Sequence, residues 1–345
     1  MKACVLEDIG KLVYKDIDMP MPQEGEVLLR IRACGICSSD IDRVYKTGTY
    51  HFPMVPGHEF SGEIVQVGKG VSTDYINKRA VVFPLLPCKK CFSCAEEKYA
   101  RCNDYNYFGS RCNGGFEEYL TVPLWNILLF SDEIEYSIAA LCEPMAVALH
   151  GIKTANVEKL SNVLIIGTGM IGFSTAIWAK EFGAKNIIIA GRNKEKLDFA
   201  EKLDGIKVIN LEEENSEILL EKLTDNEGID IAFECVGNES SISQAVNYVK
   251  KGGQVILIGN PSGNIIFPKS IYWKILRNEI SLKGVWNSSF GSIENDWVDT
   301  MKYIEKNASK LSVLITHCFA LEKYENAFDV VKDKNKFNVK VMLKL

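Results

Sequence analysis

Between residues 163 and 285 the chain repeats one pattern, a short run of branched apolar residues followed by a segment with helical spacing. Val163-Leu-Ile-Ile166 leads into a helix reaching about Phe182, and Asn186-Ile-Ile-Ile-Ala190 leads into one over 194–203. Residues 205–210 precede a helix over 216–224, and 229–233 precede one over 240–250. Residues 254–259 and 280–285 read as further strands. Strands apolar on both faces need cover on both faces. Helices between successive strands supply that cover and make the sheet parallel. The reading is an α/β fold in which residues 148–291 form a doubly wound, dinucleotide-binding type of domain.

The first 147 residues behave differently. Short β-rich runs at 27–33, 62–68 and 79–83 are interrupted by glycine and proline, the pattern of an all-β core of barrel type. The tail alternates again over 337–343 and is expected to return to that core, giving a β-rich domain of residues 1–147 with 292–345. A chain of 345 residues is long enough for two cores.

Cys88, Cys91, Cys94 and Cys102 fall within fifteen residues, spaced C-x2-C-x2-C-x7-C. A soft dication takes four thiolates at tetrahedral corners, and such short spacers let one loop supply them all. A structural zinc is expected there. The total of eleven cysteines is odd, and charges interrupt the opening Met1-Lys-Ala-Cys-Val-Leu-Glu-Asp at once. Thiolates in a reducing cytoplasm fit that pattern better than a disulfide framework. Cys4, Cys112, Cys235 and Cys318 read as small buried hydrophobes.

Gly167-Thr168-Gly169-Met170-Ile171-Gly172 follows a strand and opens a helix. In that context G-x-G-x-x-G binds a dinucleotide: a tight turn at the first glycine, a close approach of pyrophosphate at the second, close helix packing at the third. An acidic residue for the ribose 2'-hydroxyl of NAD is expected after the second strand. Gly191, Arg192 and Asn193 stand there instead. A missing carboxylate beside a guanidinium favours NADP over NAD.

The net charge of −5, with no basic stripe, argues against nucleic acid. No apolar run is long enough for a membrane-spanning helix.

Three further segments carry ligand-type residues: Cys34-Gly-Ile-Cys37-Ser-Ser39-Asp40, Pro56-Gly-His58-Glu59-Phe-Ser-Gly62 and Leu141-Cys-Glu143-Pro-Met-Ala146. Spacing alone does not join them. With the quartet, Gly114-Gly-Phe-Glu-Glu-Tyr119 and the glycine motif, however, they follow the block order of the zinc-dependent medium-chain dehydrogenases, and the chain resembles that family over essentially its whole length. The resemblance implies a GroES-like β-rich catalytic domain and two zinc ions per chain. The catalytic zinc would sit on Cys37, His58 and either Glu59 or Glu143, with a position left open for substrate. It implies a proton relay through Ser39 and an orienting role for Asp40, while Asp42 stands where some relatives have a relay histidine. It also implies a homodimer or homotetramer.

Within the family the chain is most similar to polyol and polyol-phosphate dehydrogenases, through Pro84–Cys88, Phe108–Phe116, Lys274–Glu279 and Gly284–Asn287. The expected substrate is a small polyol or polyol phosphate, oxidised at a secondary hydroxyl. A phosphate needs a cation, for which Arg43 and Arg111 are candidates, and Trp286 and Asn287 are expected to line the pocket. Free polyols, a butanediol or threonine are the alternative substrates, and a non-catalytic cofactor-binding relative is the alternative class.

Overall fold

The computed structural model describes residues 1–213, 215–261, 263–333 and 335–345, which divide into two compact units. Met1–Ala146 with Ser288–Leu345 form one, and Val147–Asn287 form the other.

The second unit is built on six parallel strands. Their order across the sheet is Ile206–Asn210, Asn186–Gly191, Asn162–Ile166, Ile229–Glu234, Val249–Leu257 and Ser281–Gly284. Leu164, Ile166, Ile188, Ala232 and Val255 are fully or almost fully buried, as strands covered on both faces require. The chain runs outward from Asn162–Ile166 and then restarts on its other side at Ile229–Glu234. That reversal opens a crevice beyond the carboxyl ends of these two strands.

The first unit carries a seven-stranded sheet organised around the eleven-residue strand Glu26–Ile36. Glu59–Val67 and Tyr119–Pro123 pair with it antiparallel. The tail strand Lys340–Lys344 pairs with its last residues, setting Ile36 opposite Val341 and Gly35 opposite Met342. Gly35 also faces Glu59 across the other edge. Thus the end of one strand, the start of a second and the start of the last strand of the chain converge just before Cys37. The returning segment is anchored by aromatics: Phe83 stacks on Phe290 at 4.6 Å and meets Trp297 edge-on at 5.6 Å.

One expectation fails. Cys318 is exposed rather than buried, because it lies on the edge strand Ile315–Ala320, which pairs on one side only. Cys4 is buried, whereas Cys112 and Cys235 are half-buried.

Candidate metal centres and dinucleotide site

The quartet is assembled by a single loop. Cys91 precedes the one-turn helix Phe92–Ala95, which carries Cys94, and Cys102 follows the turn Tyr99–Arg101. The sulfurs of Cys91 and Cys94 are 3.5 Å apart, those of Cys88 and Cys94 3.9 Å, and those of Cys91 and Cys102 4.0 Å. Four thiolates about 2.3 Å from one zinc would be about 3.8 Å apart, so the donor set fits that ion. The loop also prepares the thiolates. The Cys88 amide donates to the Cys102 sulfur at 3.3 Å. Backbone amides, that of Asn103 foremost, draw the Cys91 thiol down to about 6. Burial pushes Cys94 up to about 12, a proton that a cation would displace.

The second cluster is built from distant segments. Cys37 caps the short helix Ser38–Asp42, and His58 and Glu59 sit where Glu59–Val67 begins. One ligand atom each from Cys37, His58 and Glu59 lie within 4.8 Å of one another. A sulfur, an imidazole nitrogen and a carboxylate oxygen suit a borderline dication such as zinc.

Asp40, completely buried, ties this cluster together. One of its oxygens accepts the Cys37 amide at 2.9 Å. The other accepts Arg43 Nη1 at 2.6 Å and stands 3.5 Å from His58 Nδ1. Burial alone would raise the Asp40 carboxyl, but His58 and Arg43 hold it below its usual range. Burial would likewise lower the His58 ring, but Asp40 outweighs it and raises the ring well above the usual histidine value. With Nδ1 turned to Asp40, Nε2 is the nitrogen left for a metal.

Glu59 has a partner that sequence reading missed. Lys340, 3% exposed at the start of the tail strand, donates to its two oxygens at 2.7 and 2.5 Å and to the Ile36 carbonyl at 3.3 Å. Gly35 lies directly beneath: a β-carbon there would come 2.2 Å from Glu59 Oε2 and 3.2 Å from Lys340 Cδ. The glycine in Cys34-Gly35-Ile36-Cys37 therefore makes room for the ion pair. Only the pairing of two segments 281 residues apart reveals this.

Glu143, in the first turn of the helix Cys142–Ala155, falls outside the 4.8 Å group. Burial raises its carboxyl to about 7, and the Tyr107 hydroxyl stands 3.5 Å away. Tyr107, another residue the sequence did not single out, presents its ring to His58 at 6.0 Å. Ser39 is half-buried on the first turn after Cys37. Asp42 is turned away to an ion pair with Lys46. Trp286 is largely exposed, at 58%.

In the second unit Gly167 has φ +126°, a conformation that favours glycine, and a β-carbon on Gly172 would strike the Gly167 carbonyl at 2.1 Å. Gly169 caps the helix Met170–Glu181 and faces open space within 4 Å. Free amides at the start of a twelve-residue helix, beside a backbone without side chains, fit a pyrophosphate. Thr168 packs where a side chain on Gly191 would be, 2.5 Å from the ideal β-carbon. Arg192 is exposed and donates to Ser240 Oγ at 3.2 Å, while Asn193 caps the helix Lys194–Glu201 by accepting the Lys196 amide at 3.0 Å.

Comparison with known proteins agrees with this geometry. Residues 23–132 match the alcohol dehydrogenase GroES-like domain, and residues 171–306 match the zinc-binding dehydrogenase domain. The chain belongs to the zinc-dependent medium-chain alcohol and polyol dehydrogenases, a family of oxidoreductases. It is 28% identical to sorbitol dehydrogenase of Bacillus subtilis strain 168 over 334 residues, 95% of this chain and 93% of the relative. It is 29% identical to galactitol 1-phosphate 5-dehydrogenase of Escherichia coli K12 over 329 residues, 95% of each. The crystal structure of galactitol-1-phosphate dehydrogenase from Escherichia coli superposes with a TM-score of 0.91 at 29% identity, covering 100% of both chains. A zinc-binding dehydrogenase of Sinorhizobium meliloti 1021, solved with NADP, gives 0.90 at 25% identity, covering 100% of this chain and 99% of that one. Among the described residues no helix is long and apolar enough to cross a membrane.

Proposed function

We propose that this protein oxidises a secondary hydroxyl of a polyol phosphate to the ketose phosphate, with hydride transfer to a nicotinamide dinucleotide. The observation that carries this reading is the convergence of Cys37, His58 and Glu59 on one point. Glu59 is engaged by Lys340, so the cluster offers fewer than four committed donors and leaves a place for a substrate oxygen. Cys37, His58 and Glu59 would hold a zinc ion there, which would supply Lewis acidity toward a substrate hydroxyl, and a bound nicotinamide would supply the hydride acceptor. The chain's own groups do the rest. Asp40 fixes the imidazole and the Cys37 backbone, Ser39 carries the released proton outward, and Glu143 with Tyr107 offers polar contacts to neighbouring hydroxyls. The quartet holds the second zinc.

Arg192, without a carboxylate at position 191, supports NADP over NAD. Self-association through the edge strand Ser281–Gly284 is supported by the exposed Tyr272, Trp273 and Leu276 on the preceding helix Lys269–Arg277. The deciding experiment is a panel of free and phosphorylated pentitols and hexitols, with L-threonine and 2,3-butanediol, each assayed with NAD and NADP. Turnover of phosphorylated hexitols above all others upholds the reading. A higher kcat/KM for free polyols, the butanediol or threonine replaces the substrate. No oxidation of any alcohol by zinc-loaded protein overturns the enzyme.

A further inference from the structure

A cavity of about 440 Å³ in the first unit is bounded by Tyr50, Lys90, Asp104, Tyr105, Asn106 and Arg111, among others. Arg111 is its distinguishing group. The guanidinium lies over the Tyr105 ring at 4.1 Å and over the Tyr50 ring at 4.4 Å. Nη1 donates to the Tyr105 carbonyl at 2.9 Å, and Nη2 to the Tyr50 hydroxyl at 3.0 Å. A guanidinium carries five N–H groups, so three remain, in a plane that the two rings have already fixed. An arginine immobilised in this way loses little further freedom when it binds, and its fork matches the oxygens of a phosphate.

Lys90 faces the same cavity and pairs with no carboxylate among the described residues. Among the described residues that line the cavity, Arg111 and Lys90 are the two cations, Asp104 is the one carboxylate, and Cys88 of the quartet closes part of the wall. Arg43 differs. Its guanidinium is committed to the buried Asp40 at 2.6 Å, which cancels its charge. Two aromatic rings run in sequence from the cavity wall toward the Cys37–His58–Glu59 cluster. Tyr105 meets Tyr107 edge-on at 6.4 Å, and Tyr107 faces His58 at 6.0 Å.

We infer that this cavity seats a phosphomonoester carried by the substrate of the Cys37–His58–Glu59 site, with Arg111 as its reader and Lys90 as a second charge. The inference rests on the dehydrogenase reading above and sharpens its substrate class. Along that path the rings of Tyr105 and Tyr107 lie between Arg111 and the His58 ring. The phosphate must therefore lie several bonds from the oxidised carbon, as in a hexitol or pentitol 1-phosphate and not in glycerol phosphate.

The test compares kcat/KM for a hexitol 1-phosphate and the free hexitol in the zinc-loaded wild type and in Arg111→Met, Lys90→Met and Tyr50→Leu. Calorimetric titration with methyl phosphate accompanies it. Arg111→Met should lower kcat/KM for the phosphorylated substrate roughly 10- to 100-fold, change the free hexitol less than about threefold, and abolish methyl phosphate binding. Tyr50 is 73% exposed, so Tyr50→Leu loosens Arg111 without touching the core and should give the same selective loss, smaller in size. Equal losses on both substrates, or a phosphate preference that survives Arg111→Met, would overturn the inference. Wild type that oxidises alcohols but neither prefers phosphate nor binds methyl phosphate overturns the seat and leaves the dehydrogenase standing. Without any alcohol oxidation that reading falls, and the seat is then decided by methyl phosphate titration of wild type against Arg111→Met.

Discussion

The cysteine quartet and the Cys37–His58–Glu59 cluster belong to the same unit and both gather donor atoms suited to zinc, yet they are built in opposite ways. The quartet is local, all sulfur, and complete with its own loop amides. The other draws on three strand or helix ends, mixes donor elements, and has its carboxylate engaged by Lys340. A closed set of four donors can only hold an ion. A set whose carboxylate has a competing partner can exchange ligands, which is what a reacting centre needs.

That contrast can be broken at several points. The largest effect belongs to Cys37→Ser combined with His58→Ala, which should reduce kcat/KM by roughly 10⁴-fold, about 5.5 kcal/mol of transition-state stabilisation. Metal analysis should then find one zinc in place of two. If activity survives, the cluster is not the reacting centre. Cys91→Ser should do the reverse. It loses the other zinc and about 4–5 kcal/mol of stability in urea unfolding, while the folded enzyme keeps most of its turnover. Equal damage to activity and stability by both sets would erase the distinction drawn here.

Lys340→Met strands Glu59 as a buried charge and should cost about 3–5 kcal/mol, with much of the loss recovered in Lys340→Met/Glu59→Gln. A double variant no better than the single would show that the pair is not coupled. In the second unit, Arg192→Asp should shift the NADP/NAD ratio of kcat/KM toward NAD by roughly tenfold or more, about 1.4 kcal/mol. An unchanged ratio removes Arg192 from cofactor choice.

The smallest effect contrasts Glu59 with a second carboxyl in the same unit. Glu117 is 1% exposed, its Oε2 has no hydrogen-bond partner among the described residues, and burial raises its pKa well above 4.5. Its ionisation is therefore harder in the fold than in the unfolded chain. Stability is unaffected below pH 4.5 and falls as the pH climbs from there toward the folded pKa. Glu117→Gln should flatten that decline by about 1 kcal/mol between pH 5 and 8 in urea titrations. An unaltered slope would mean that Glu117 finds a partner.

What could be read from the chain itself follows the same division. The quartet, the glycine turn and each strand–helix unit of the alternation lie within a few dozen residues, so local spacing reports them directly. The strands at 162–166 and 186–191 and the helices after them were legible to within a residue or two, because buried parallel strands need unbroken apolar runs. Lys340 was not legible. A lysine in an alternating tail looks like a solvated face until strand pairing sets it beside Glu59. Tyr107 is hidden because its strand, Asn106–Tyr107, is only two residues long and shows no alternation, and Cys318 is exposed because an edge strand has no partner on its far side. Gly35 was visible as a letter, but the reason for it depends on two side chains from elsewhere in the chain.

The close packing of Thr168 against Gly191 restricts how this chain can change its redox partner over evolution or in the laboratory. A carboxylate introduced at 191 by one substitution would strike the stiff, β-branched threonine, which must shift to admit it. Retuning without that shift either begins at 192 or proceeds through a threonine-to-smaller step inside the phosphate turn. The second route puts cofactor affinity at risk before any new selectivity appears, so the accessible first move is at the exposed arginine.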